Sequence, residues 1–101
     1  MNVELKPEAR QDMAEATAWY EAQRAGLGAE FVAAIDAAVS RISRRPLGYR
    51  KIHGDLRIFL VRKFPYAVYY LPADDTIAIY AVMHQRRAPA AWHERIDDDG
   101  V

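Results

Sequence analysis

The sequence contains no cysteine among its 101 residues. Disulfide frameworks, thiolate zinc sites and thiol nucleophiles are therefore excluded. Long apolar runs are missing too. The most apolar segment, Ile58 to Leu71, is broken by Arg62 and Lys63, and spanning a bilayer takes roughly 20 uninterrupted apolar residues. Met1 to Lys6 has neither a basic lead nor an apolar stretch, so no secretory signal is expected and the cytoplasm is the expected location. Histidine is scarce: His53, His84 and His93 form no i, i+4 pair and no ligand motif, so no metal is expected. No glycine-rich phosphate loop is present, because Gly26-Leu27-Gly28 lacks a following lysine and follows no strand; it reads as a helix cap and hinge. With Ser40 and Ser43 both inside a helical pattern, a serine triad has no nucleophile, and no cofactor is expected.

What is present belongs to a folded chain. The apolar fraction is 51% and the charged fraction 28%, which excludes disorder. A chain of this length has room for one domain, residues 1–101, with a shallow working surface rather than a deep pocket. Its zero net charge conceals a marked segregation. Residues 1–40 carry three basic and seven acidic side chains, and residues 41–63 carry eight basic ones against Asp55 alone. The end is acidic again, at Asp97-Asp98-Asp99. A basic block in a neutral protein is a candidate docking surface for something acidic.

Periodicity supplies the elements. Residues 2–5 alternate as a short strand. Pro7 opens a helix at the position its fixed φ suits, with Glu8 at the positive end of the dipole. Ala9, Met13, Ala16 and Tyr20 then recur at helical spacing, opposite a polar face of Glu8, Asp12, Glu15 and Glu21, to about Arg24. A second helix follows Gly28, with Phe31, Ala34, Ile35, Ala38, Val39 and Ile42 inward; Pro46 ends it. So short a connection folds the two into an antiparallel hairpin. Leu47 to Asp55 reads as a loop. Ile58–Val61, Tyr66–Leu71 and Ile77–Val82 are rich in β-branched and aromatic residues and read as a three-strand antiparallel meander. In the third, Ile77, Ile79 and Ala81 should share one face, and Ala78, Tyr80 and Val82 the other. The tail from His84 to Arg95 reads as a short helix from near Pro89. The fold class is α+β, a helical hairpin covering an antiparallel sheet.

An arginine, histidine and aromatic surface is the remaining chemistry. Arg57, Arg62, Arg86 and Arg87 suit an acidic or phosphate-bearing partner. His84 follows the last strand, where imidazole titrates near neutrality. Trp92 reads first as an anchor holding the tail to the sheet.

Several segments, taken in order, resemble the RelE/ParE superfamily of bacterial type II toxins, and its ParE-like branch above all. They are Ala16-Thr17-Ala18-Trp19-Tyr20-Glu21-Ala22-Gln23, Gly26-Leu27-Gly28 with Phe31, Phe64-Pro65-Tyr66-Ala67-Val68-Tyr69-Tyr70, and Ile79 through Pro89 with Trp92 and Arg95. The resemblance implies a toxin held in a hetero-oligomer by a ParD-like antitoxin that folds as it wraps its partner. ParE-like members are understood to inhibit DNA gyrase, whereas RelE-like members are metal-independent nucleases that cut mRNA on the ribosome. The zero net charge departs from the strongly basic nuclease pattern. So does the sequence after His84, where Gln85, Arg86 and Arg87 stand in place of a closing Tyr. The expected activity is gyrase inhibition, with target-binding candidates Arg57, Arg62, His84, Arg86, Arg87 and Trp92. The alternatives are an mRNA endonuclease, for which Arg57, His84 and Arg86 are the catalytic candidates, and a non-toxic relic that only binds its antitoxin. No antitoxin-binding residue is assigned by the sequence.

Overall fold

The computed structural model describes residues 2–87 and 90–99. In chain order the elements are β1 (Asn2–Leu5), α1 (Pro7–Gln23), α2 (Leu27–Arg44), β2 (Lys51–His53), β3 (Leu56–Leu60), β4 (Tyr66–Ala73), β5 (Thr76–His84) and α3 (Ala90–Asp99). The five strands form one sheet in the order β1-β5-β4-β3-β2. Strands β2 to β5 are an antiparallel run, and β1 joins the far side of β5 in parallel, Val3 opposite Ile77 and Leu5 opposite Ile79. The sheet is therefore mixed, not the purely antiparallel meander the sequence pattern implies. The Leu47–Asp55 loop also contains a strand, β2, which pairs with β3 through a bulge. Pro89 lies outside the described residues, and the short helix of the tail runs from Ala90.

The hairpin turns where glycine is required. Gly26 has φ 92°, a left-handed conformation in which a Cβ would meet the backbone carbonyl. Two residues on, a Cβ at Gly28 would stand 3.0 Å from the Thr17 carbonyl and from Glu21 Oε1, so α1 and α2 approach closely only because glycine is there. The N–H groups of Gly26 and Gly28 donate to the Glu21 carboxylate at 3.1 and 3.0 Å. That carboxylate satisfies orphan donors at the start of α2, with a charge of the favoured sign.

Each face of the sheet carries its own apolar cluster. On the hairpin side Phe31, Ile35, Ala38 and Ile42 of α2 pack with Ala9 and Ala16 of α1 onto Phe59, Val68, Tyr70, Ile77, Ile79 and Val82. Full burial of each large side chain is worth roughly 1.5–3 kcal/mol. On the other side Trp92 and Ile96 of α3 cover Leu56, Ala67, Tyr69, Tyr80, Ala81 and Met83. The domain thus has three layers, which is why β4 and β5 read as nearly continuous apolar runs.

A bulge decides which β5 residue serves which layer. Tyr69 pairs with Ala81 and Tyr70 with Ile79, so β5 holds one residue more than β4 there. The extra residue, Tyr80, reverses the alternation beyond it. Ala81 consequently sits in the α3 cluster and Val82 in the hairpin cluster, the reverse of what strict alternation predicts.

Candidate functional site

Asp12 lies on what the sequence shows as the polar face of α1, yet it is only 6% exposed. Beyond Leu5, β1 no longer covers β5, and the open strand edge is closed by side chains. Lys6 N–H donates to the Ile79 carbonyl at 2.9 Å. The Val82 N–H donates to Asp12 Oδ2 at 2.9 Å. Arg95 of α3 donates to both Asp12 oxygens, at 2.7 and 2.9 Å, and to the Tyr80 carbonyl at 3.2 Å. The hydrogen bond to Asp12 raises the pKa of the Arg95 guanidinium further, against the opposing pull of burial. The clasp ties all three layers together around the sheet edge. A carboxylate at helical spacing among Glu8, Glu15 and Glu21 carries no sequence signal that distinguishes it.

Above this clasp, α1 and the end of β5 enclose an open cleft of about 250 Å³ lined by Asp12, Glu15, Trp19, Tyr66, His84 and Arg87. Tyr66 of this lining belongs to an aromatic cluster, with Phe31 edge-on to it at 5.0 Å and Tyr20 edge-on to Phe64 at 4.8 Å. Burial pushes the Tyr66 hydroxyl pKa up; neighbouring Tyr20 adds to the shift, and the nearby Arg87 charge opposes it. The His84 ring meets Tyr66 at 5.5 Å, and its Nδ1 accepts the Arg86 N–H at 3.1 Å.

A second surface lies on the β3 side of the sheet. Between α2 and β3 runs a groove of about 310 Å³ floored by Ala33, Ala34, Ala37, Ala38, Phe59 and Val61. Arg41, Arg62 and Lys63 stand on its rim, with Glu30, whose carboxylate pairs with Arg24 at 3.0 Å. It continues into a hollow of about 490 Å³ where Arg41, Arg50 and Arg62 surround Tyr49 and Leu60. The pairing of β2 covers β3 at Leu56 and Arg57, and the Arg50 carbonyl accepts the Ile58 N–H at 3.0 Å, so the outer margin of β3 is open only beyond Ile58, and Leu60 is 58% exposed. None of these four cations forms an ion pair with a described residue; those pairs involve Lys6, Arg24, Lys51 and Arg95.

The sequence-derived candidates divide between these places. His84 and Arg87 share the cleft, and Arg86 is exposed beside it. Arg62 belongs to the basic groove. Arg57 is turned inward: its Nη1 donates to the Leu47 and Tyr49 carbonyls at 3.0 and 2.8 Å, and its Nε is buried. It holds the basic loop in shape. Trp92 is 8% exposed and stacks on Tyr69 at 5.8 Å on the α3 side, as the anchor reading requires. Trp19 and Glu15 of the cleft and Arg41 and Arg50 of the groove are not among the sequence-derived candidate site residues. Among the described residues no group of three or more His, Asp or Glu is placed to hold a metal, and no helix is long and apolar enough to cross a membrane.

The family described as the ParE toxin of the type II toxin-antitoxin system parDE matches residues 3–89. Among solved structures, one described as the chromosomal ParDE TA system from P. aeruginosa superposes with a TM-score of 0.71 at 14% identity. The match covers 83% of this chain and 95% of that one, and at such low identity it speaks for the fold. No curated protein sequence matches.

Proposed function

Since this chain belongs to the ParE toxin family of type II toxin-antitoxin systems, we propose that it is a cytoplasmic toxin that inhibits DNA gyrase and is held inactive by a ParD-like antitoxin. In this reading an acidic, apolar-faced segment of the antitoxin lies in the α2/β3 groove. The observation that carries it is the row Arg41, Arg50, Arg62 and Lys63, four cations without an acidic partner among the described residues, beside an alanine floor and an exposed Leu60. Small alanine side chains let a partner backbone approach closely, and the cations supply charge complementarity and orientation. An open strand margin offers backbone groups to an added segment.

Gyrase inhibition is preferred over mRNA cleavage on two grounds. The net charge is zero, which provides little of the counterion-release affinity that ribosomal RNA binding draws on. Arg57, one of the three nuclease candidates, is engaged by backbone carbonyls instead of facing a substrate. Purified toxin should lower supercoiling by gyrase and leave mRNA intact in a translation reaction. Cut transcripts with unaffected supercoiling would refute the target, and normal growth on expression without antitoxin would refute toxicity. For the partner, Arg41→Glu with Arg62→Glu should weaken the antitoxin complex by roughly tenfold or more, mostly at low salt. An unchanged affinity would remove the groove from the interface.

A further inference from the structure

The cleft between α1 and the end of β5 contains two side chains, Trp19 and Glu15, that the proposed toxin function does not use. Trp19 is 58% exposed, an indole left in water at the edge of the aromatic cluster. It meets Tyr20 edge-on at 5.1 Å and Gln23 donates to its carbonyl at 3.3 Å, so its helix position is well held. One turn earlier on the same helix face stands Glu15, i, i+4 from Trp19. Its Oε2 accepts from Gln11 at 3.2 Å, which orients the carboxylate and leaves Oε1 without a hydrogen-bond donor among the described residues. Across the cleft are Arg87 and His84. Because His84 Nδ1 accepts a backbone N–H, the neutral ring carries its proton on Nε2. Asp12, the other carboxylate of the lining, is neutralised by Arg95.

We propose that this cleft binds a guanine nucleotide, with the base stacked on Trp19, its adjacent N–H donors received by Glu15, and its phosphate held by Arg87. The size is right for one planar ring: about 250 Å³ is below the ~300–1,000 Å³ of sites that enclose drug-sized ligands. The choice of base follows from the carboxylate. Guanine presents two neighbouring donors, N1–H and N2–H, that a carboxylate accepts side by side. Adenine and cytosine each set a ring-nitrogen acceptor next to the amine, which repels a carboxylate, and uracil flanks its single donor with carbonyls. Stacking on an exposed aromatic gives affinity for any base, the Glu15 edge contact gives selectivity, and arginine matches phosphate geometry. The inference does not depend on gyrase or antitoxin.

The test is isothermal titration of the full chain with GMP, AMP and guanosine, alongside Glu15→Gln, Trp19→Leu and Arg87→Gln. All three substitutions are at solvent-facing positions, and far-UV circular dichroism confirms their fold. GMP should bind saturably, with AMP about tenfold weaker, the scale of one good bidentate base contact. Glu15→Gln should bring the GMP-to-AMP ratio close to one without weakening AMP. Arg87→Gln should reduce GMP to the affinity of guanosine, and Trp19→Leu should weaken every base by roughly tenfold. No saturation by GMP, equal binding of GMP and AMP, or a ratio insensitive to Glu15→Gln would each overturn the proposal. So would a Trp19 fluorescence response to a gyrase subunit with none to GMP, which would make the cleft a protein interface.

Discussion

Removing the Asp12 carboxylate should cost this protein a large share of its stability. In Asp12→Ala the Arg95 guanidinium, whose side chain is 17% exposed, retains only the Tyr80 carbonyl, and the Val82 N–H loses its acceptor. Breaking one side of a buried, bidentate pair costs about 3–5 kcal/mol, because the remaining charge stays desolvated. A domain of this size has roughly 5–15 kcal/mol in total. With a urea slope of about 1–3 kcal/mol/M, the unfolding midpoint should fall by roughly 1–5 M. Trp92 fluorescence is a suitable probe, since that ring sits on α3 three residues before Arg95 and is buried against Tyr69. Arg95→Ala should cost a similar amount. In the double-mutant cycle the two losses should not add, with a coupling of about 1–3 kcal/mol that changes little with salt, as expected of a pair shielded from solvent. A loss under about 1 kcal/mol for Asp12→Ala, well short of the buried-pair cost, would refute the clasp, as would additive single mutants.

Three further outcomes follow from the geometry. Gly28→Ala puts a methyl group 3.0 Å from the Thr17 carbonyl and should cost about 1–3 kcal/mol by overpacking, read as a lower thermal midpoint; an unchanged midpoint would mean the helices yield freely. Burial pushes the Tyr70 hydroxyl up to about 12 from 10.0, with Arg57 opposing. The stabilisation from keeping it neutral, up to about 3 kcal/mol, is fully present below pH 10 and is lost as pH rises through 12, so Tyr70→Phe should flatten the alkaline fall measured by urea titration. Arg57→Leu removes two charge-assisted bonds to the Leu47 and Tyr49 carbonyls, which should cost roughly 1.5–3 kcal/mol and speed amide exchange between residues 46 and 51; unaltered exchange would show the loop needs no such brace.

The helices were legible in the sequence because glycine, proline and a 3.6-residue period mark their ends and inner faces. Leu27–Arg44 follows Phe31, Ile35, Ala38 and Ile42 closely. The three long strands were legible from β-branched density. β2 was not, since Lys51-Ile52-His53 is three residues long, flanked by charge, and pairs through an irregular register. The parallel pairing of β1 leaves no trace in composition. Nor does the bulge at Tyr80, because a run apolar on both faces reads the same with or without a slip. The site was half legible. Arg62 and Arg87 have the chemistry and the exposure, and His84 has the chemistry but is half-buried. Arg57 and Trp92 have the chemistry, but one braces a loop and the other anchors a helix, and only the folded neighbourhood separates those duties. Trp19 passed for part of an amphipathic helix although its ring lies outside the packed stripe.

The fastening between Asp12 and Arg95 joins residues 83 positions apart. At about 5–20 residues per second, the ribosome needs roughly 4–17 s after Asp12 to reach its counterpart. Throughout that interval the last strand's flank and the reverse of the sheet have nothing to latch onto. The newborn domain matures only once Arg95 has been made, and a truncation that stops short of it would release a polypeptide with this fastener missing.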